Sequence, residues 1–378
     1  MPTSAHSGTA AEEPRSAATA PGAALSPDSA PAPALEPGPT AARISRLATL
    51  AAGPGASCPP TVLADRPDAT LVRGGHVVAK AHAPGCDPDR LAARLRVAAH
   101  PSLRGILLPP LPVTGPGGFL TLLDDGRPAT RWPYGRPVSP DEPDTAPWEE
   151  TARLLARLHA VAPARLPGPV PPMRGPAKAA RALSRMRTAT AATAATAATA
   201  ATAATGPGPG AASPPARSAP PPSLPLLHAA ATVERAWSLL PPWARDEAAA
   251  PRATALCHGD LHLGQLVRHP APDGPWLLID IDDLGLGDPA WDLARPAAWF
   301  ATGLLAPALW SRFLGAYRAA DGPAVRKDGD PWPELDVPAR ALTVQTAALA
   351  VARAAAEGRP LDADERALVD ACGRMACV

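Results

Sequence analysis

His258-Gly259-Asp260-Leu261-His262-Leu263-Gly264-Gln265, followed by Asp280-Ile281-Asp282-Asp283, is the part of this 378-residue chain whose residue types ask for a particular chemistry. A glycine-containing polar loop holds an Asp and an amide. The apolar run Trp276-Leu277-Leu278-Ile279 then leads into a further Asp. Phosphoryl transfer needs such groups: a carboxylate to position an attacking hydroxyl, and oxygen ligands for Mg²⁺ on nucleotide phosphates.

Working outward, Ala255-Leu256 reads as a strand, so the loop sits between two strands. Asp288-Pro289 reads as a helix start, with Asp at the N-cap and Pro at the first helical position. Helices are expected over Trp291–Phe300, Ala306–Ala319, Ala339–Ala356 and Ala363–Cys372. Upstream, Leu154, Leu155, Leu158 and Val161 give a helix over Trp148–Val161, and a further helix runs from Leu226 through Val233, Trp237 and Leu240. Between these two, Thr recurs every third residue from Thr190 to Thr205 and is followed by the Gly- and Pro-rich stretch Gly206 to Pro225. A period of three is not that of a repeat array, and no apolar stripe offers a surface to bury, so residues 188–225 are expected to be a disordered insertion.

The first half begins with Ala, Pro, Ser and Gly, which predicts a disordered tail over residues 1–42. A short helix is expected at Ile44–Ala52 and a loop at Gly53–Pro60. Thr70–Arg73 and His76–His82 flank Gly74-Gly75, a hairpin signal. A helix over Asp89–Ala99 and strands at Gly105–Leu111 and Phe119–Leu123 complete a small mixed lobe, and the Pro-rich stretch Arg131–Pro147 reads as a hinge. The expectation is an α+β fold of two lobes: residues 43–131 hold nucleotide, and residues 132–378 form a larger, mainly helical catalytic and substrate-binding lobe.

Composition narrows the partners. The chain has 53 Pro and 30 Gly with few aromatics, so Leu, Val, Ile and Trp must carry the core. Net charge is +1 without a basic block, which recommends neither nucleic acid nor a membrane surface. The five Cys form no CxxC pair or zinc-like spacing, and the N-terminal segment lacks the pattern of a secretory signal. Free thiols in a reducing cytoplasm are the expectation. Oligomeric state is not legible.

Three segments resemble aminoglycoside-phosphotransferase-like enzymes, which are relatives of protein kinases. These are Leu154-Leu155-Ala156-Arg157-Leu158-His159, the loop His258 to Gln265, and Ile279-Asp280 with Gly287-Asp288-Pro289 and Asp292-Leu293-Ala294. The resemblance implies a protein-kinase-like fold that uses ATP and Mg²⁺ to phosphorylate a small-molecule hydroxyl. It makes Asp260 the carboxylate that orients the acceptor and takes its proton, Asp280 a Mg²⁺ ligand, and His258 and Asp292 supports of the loop. Gln265, a second metal ligand, stands where most of the family has Asn, as in maltokinase-like sugar kinases. Val77-Val78-Ala79-Lys80 matches the strand lysine that pairs with nucleotide phosphates. The helix after Lys80 offers no Glu to partner it, leaving Asp87 or Asp89. No glycine-rich phosphate loop is present, with Gly53 to Ser57 a loose equivalent. Asp282 and Asp283 could attract Mg²⁺ or a cationic acceptor, or be solvated. An aminoglycoside or related amino sugar is the expected acceptor, with a neutral sugar or a non-catalytic pseudokinase as alternatives.

Rival readings of the same residues are weaker. A metal hydrolase built on His258, Asp260 and His262 needs a further ligand, and only His269 is close in sequence. Terpene-cyclase sites that carry Asp-x-Asp-Asp need aromatic-rich cavities. A calcium loop starting at Asp280 lacks an oxygen ligand at Leu284 and a Glu at Trp291. Trp291, Trp299 and Trp310 fall at helical positions and read as core more readily than as a sugar platform.

Overall fold

The computed structural model describes residues 39–52, 59–113, 118–139, 145–204 and 223–375. The first 38 residues and the Gly53–Ser57 segment lie outside them.

Helix α1 (Pro39–Ala52) starts earlier than the sequence suggests and lies on a five-stranded antiparallel sheet. The strands are β1 (Thr61–Arg66), β2 (Ala69–Gly74), β3 (Val77–Ala81), β4 (Leu120–Leu122) and β5 (Pro128–Pro133), in the order β1-β2-β3-β5-β4. Leu47 and Ala51 of α1 close a small core with Val72, Ala79, Ala81, Leu123 and Ala129. The β2–β3 turn falls at Gly75-His76, one residue beyond the expected Gly-Gly, because Gly74 still pairs with Val77. Gly75 supplies the positive φ of the turn. Gly74 serves close approach instead: a Cβ there would lie 3.0 Å from the α1 backbone at Ala51 and Ala52.

Two sequence expectations fail in this lobe. Strand β1 was not anticipated; it is an exposed edge whose tight turn at Pro67-Asp68 leads into β2. Gly105–Leu111 is not a strand but follows a 3₁₀ turn at Pro101–Leu103, with isolated bridges from Leu107 to Leu278 and Leu111 to Arg131. Pro109 and Pro110 have no N–H to continue a ladder. Helix α2 (Pro88–Ala98) is capped by the Asp87 carboxylate, which accepts from the N–H groups of Asp89 and Arg90 at 3.0 and 3.1 Å.

The larger lobe contains α3 (Trp148–His159), α4 (Gly175–Ala204), α5 (Ser223–Ser238), α6 (Ala290–Ala301), α7 (Pro307–Ala319), α8 (Trp332–Glu357) and α9 (Ala363–Met375). Its short strands β6 (Arg136–Pro137), β7 (Ala255–Cys257), β8 (Leu266–Arg268), β9 (Trp276–Leu278) and β10 (Gly285–Gly287) form two ribbons. One pairs β7 with β10, and the other is ordered β6-β8-β9. Residues 188–204 are helical, contrary to the expected disorder, while residues 205–222 lie outside the described residues. Here Thr190, Thr193, Thr196 and Thr199 each turn the hydroxyl back onto the carbonyl four residues earlier. That satisfies each hydroxyl within the helix itself. Trp291 and Trp310 are buried and Trp299 packs against the same core.

Candidate active site

The loop after β7 is held from beneath. Asp292, on the first turn of α6, accepts the N–H groups of His258 and Gly259 at 2.6 and 2.8 Å. His159, at the end of α3, reaches the same carboxylate at 3.0 Å and is backed by the Tyr317 hydroxyl at 2.8 Å. Burial works against the Asp292 charge, but the His159 hydrogen bond and the loop N–H groups outweigh it and lower its pKa. His258 fixes the neighbouring strand end by bonding the Ile279 carbonyl at 2.7 Å through Nε2. Gly259 has φ +86°, and a Cβ there would collide with the Asp283 carbonyl oxygen.

This support presents Asp260 between two cations. Lys178, from the first turn of α4, bonds Asp260 Oδ2, and Arg295 Nη2 bonds Oδ1 at 2.7 Å. Arg295 also donates to the Leu261 carbonyl at 3.0 Å. Lys178 is shared with Asp283 at 2.9 Å, and Arg174 lies 3.6 Å from the other oxygen of Asp283. Burial disfavours the Lys178 charge, yet Asp283 and Asp260 outweigh it and raise its pKa.

The other acidic residues face β3. Lys80 donates to Asp280 at 2.7 Å and to Asp282 at 3.1 Å. The buried His82 joins Asp282 through Nδ1 at 3.2 Å and Thr130 through Nε2 at 2.9 Å. Gln265 donates to Asp280 at 3.2 Å. Burial opposes all these charges, but the pairing prevails: the Lys80 pKa is raised, and those of Asp280 and Asp282 are lowered. Asp280 adopts φ +65°, ψ +80°, a left-handed conformation uncommon for a residue with a side chain. The 3₁₀ turn Ile281–Asp283 that follows joins the Lys80 cluster to the Asp260 cluster.

The sequence-selected residues thus fall into three adjoining groups: Asp260 with Asp283, Asp280 with Asp282, Gln265 and Lys80, and His258 with Asp292. Asp87 and Asp89 are not partners of Lys80; Asp87 is taken by the α2 cap, and Asp280 and Asp282 fill that place. Asp283 is buried and Asp282 half-buried, and both are ion-paired rather than simply solvated. The turn preceding the Lys80 hairpin is Pro67-Asp68, without glycine. Lys178, Arg295, Arg174 and His82 were missed. Only the run of basic residues before the Thr repeat hinted at the first and third.

An Asp carboxylate with a neighbouring amide oxygen makes an oxygen donor set that suits Mg²⁺. Asp280 and Gln265 are positioned to supply one. The rival hydrolase set does not assemble: His262 Nδ1 accepts the Gly264 N–H at 3.1 Å, and His269 bonds the Tyr134 carbonyl. Among the described residues, the one grouping with metal-compatible spacing is His159, Cys257 and Asp292. Its His and Asp are already committed to the hydrogen bonds above.

No curated protein matches the chain. Among solved structures, a choline/ethanolamine kinase family protein from Mesorhizobium loti is 16% identical with a TM-score of 0.43, covering 89% of this chain and 94% of that one. A spectinomycin phosphotransferase solved with ADP and spectinomycin is 11% identical, TM-score 0.49, with 85% and 93% covered. A macrolide 2′-phosphotransferase from Brachybacterium faecium is 18% identical, TM-score 0.40, with 84% and 91% covered. The sequence model of the Phosphotransferase enzyme family (APH) matches residues 68–335, most of the chain. The protein belongs to that phosphotransferase family.

Proposed function

We propose that this phosphotransferase moves the γ-phosphoryl group of Mg·ATP to a hydroxyl of a small molecule. The observation that carries the reading is the turn Ile281–Asp283, which sets Asp280, with its partners Lys80 and Gln265, directly beside Asp283 and its link to Asp260. In this reading Lys80 binds the nucleotide phosphates, and the Gln265 amide turns over to offer its oxygen. Asp260 orients the acceptor hydroxyl and takes its proton. Bound Mg²⁺ would neutralise charge on the phosphates and hold them in line. Residues 43–131 form the nucleotide lobe and residues 132–378 the catalytic lobe, working in a reducing cytoplasm where Cys86, Cys257 and Cys372 remain free thiols.

Lys80 is paired despite the missing helix Glu, and this favours a working site over a pseudokinase. Lys178 and Arg295 each occupy one oxygen of Asp260, yet every carboxylate oxygen has a second lone pair for an acceptor hydroxyl. The test is phosphoryl transfer by Asp260→Asn, measured as acceptor-dependent ADP release. Loss of about 10²–10⁴-fold is expected for a removed general base. Near-wild-type turnover would refute the assignment. Asp280→Ala should also abolish Mg-dependent turnover while thermal unfolding shows an intact fold.

A further inference from the structure

The acceptor side of the site is basic, and its basic groups share one helix face. Arg174, whose carbonyl receives the Lys178 N–H, is followed by Lys178, Arg181 and Arg185. Spacings of four, three and four align Arg174, just before α4, with Lys178, Arg181 and Arg185 on one stripe of the helix. Lys178 is engaged by Asp260 and Asp283, and Arg174 approaches Asp283 loosely at 3.6 Å. Arg181 is exposed and, among the described residues, forms no hydrogen bond or ion pair. Arg187, on the opposite face, is by contrast held by Glu234 at 2.7 and 2.8 Å. Burial and Arg174 lower the Arg181 pKa while Asp283 and Asp246 raise it, so Arg181 lies within electrostatic reach of the site.

With Arg295 on the other side of Asp260, the cations here outnumber the carboxylates Asp260, Asp283 and Asp246. A polycationic acceptor would be repelled from this stripe. Guanidinium groups with free donors suit a carboxylate or phosphate, which they bind in a bidentate fork.

Resting on the phosphotransfer reading above, we infer that the acceptor is an anionic alcohol, a hydroxyl compound bearing a carboxylate or phosphate. Its acid group is held by Arg181 with Arg174, while its hydroxyl meets Asp260. The amino-sugar and aminoglycoside expectation is replaced by one of opposite charge. The reaction is an ordinary transfer: the acceptor oxygen bonds to the γ-phosphorus, the bond to the β-phosphate oxygen breaks to release ADP, and Asp260 receives the hydroxyl proton.

The experiment measures ADP release by the full-length protein with Mg·ATP against three mixed panels. These are hydroxy acids and sugar phosphates, neutral polyols and sugars, and amino alcohols and aminoglycosides. In parallel, gluconate, 3-phosphoglycerate and glucosamine are titrated onto protein saturated with a non-hydrolysable ATP analogue, and thermal stabilisation is read. We expect turnover to favour the acidic panel at least tenfold, with the carboxylate and phosphate arms identifying the acid group. Arg181→Ala should raise KM for the acidic acceptor at least tenfold with KM for ATP unchanged; Arg181→Lys should recover part of the loss. ADP release with amines or neutral sugars in preference to acids overturns the inference and leaves phosphotransfer standing. Acid binding that depends on Arg181, with no ADP release from any panel, supports the anion site and counts against the phosphotransfer reading. Absence of both acid binding and acid turnover overturns the inference.

Discussion

Asp292 sits 1% exposed beneath the His258–Gln265 loop, with hydrogen bonds to two backbone N–H groups and to His159. Asp292→Ala leaves those groups buried and unpaired, and a loss of about 3–5 kcal/mol in urea unfolding is expected. The folded Asp292 pKa is depressed, so this stabilisation is present above about pH 4, the ordinary carboxylate value, and disappears as pH falls through the folded value. His262 gives a second, separable pH effect. Burial lowers its pKa to about 4, so folding favours the neutral ring. Its contribution is complete above the unfolded value of about 6.5 and is lost as pH falls towards 4. His262→Asn keeps an acceptor for the Gly264 N–H but cannot titrate; its stability should vary less than wild type between pH 7 and 4.5, by on the order of 2 kcal/mol. At this scale the sequence disclosed the acids better than the bases. Asp260, Asp280 and Asp292 stand in a compact motif, whereas Lys178 reaches Asp260 from 82 positions earlier and no local pattern joins them.

Helices with an apolar stripe were legible as elements. Leu154, Leu155 and Leu158 of α3 share one buried face, and the α3 boundaries fall within two residues of those expected. Short strands were not, since β7, β8, β9 and β10 are three residues each and exist through tertiary pairing rather than periodicity. In the case of α4, the apolar stripe was absent from the Thr run, and the buried residues Ala179, Ala182, Leu183 and Met186 that anchor it come before that run begins. Caps act on the same scale. The Asp87 carboxylate satisfies two N–H groups at the start of α2, the helix from which Arg94 reaches the Leu284 and Pro172 carbonyls at 2.8 and 3.1 Å. Asp87→Ala should lower stability by about 1 kcal/mol in chemical denaturation. It should leave KM for ATP unchanged, because Lys80 draws its partners from elsewhere.

At the level of the whole molecule, the core divides into two clusters of very different size: the smaller joins α1 to the five-stranded sheet, and the larger takes in α2 together with the helical lobe. The smaller one consists mostly of alanines, so Leu47 supplies a large share of its apolar area. Leu47 is fully buried, and Leu47→Ala should cost about 3 kcal/mol. Hydrogen exchange should show the loss confined to β2, β3 and β5, sparing α3 and α8. That α1 belongs to this core was only half legible, because its first residues have the composition of the tail before it. The turn Ile281–Asp283 has a different kind of importance. Within three residues it assigns one carboxylate to the strand of Lys80 and the next to the helix of Lys178. In the proposed reaction its length is therefore a ruler between donor and acceptor, and an extra residue there should put the two out of step.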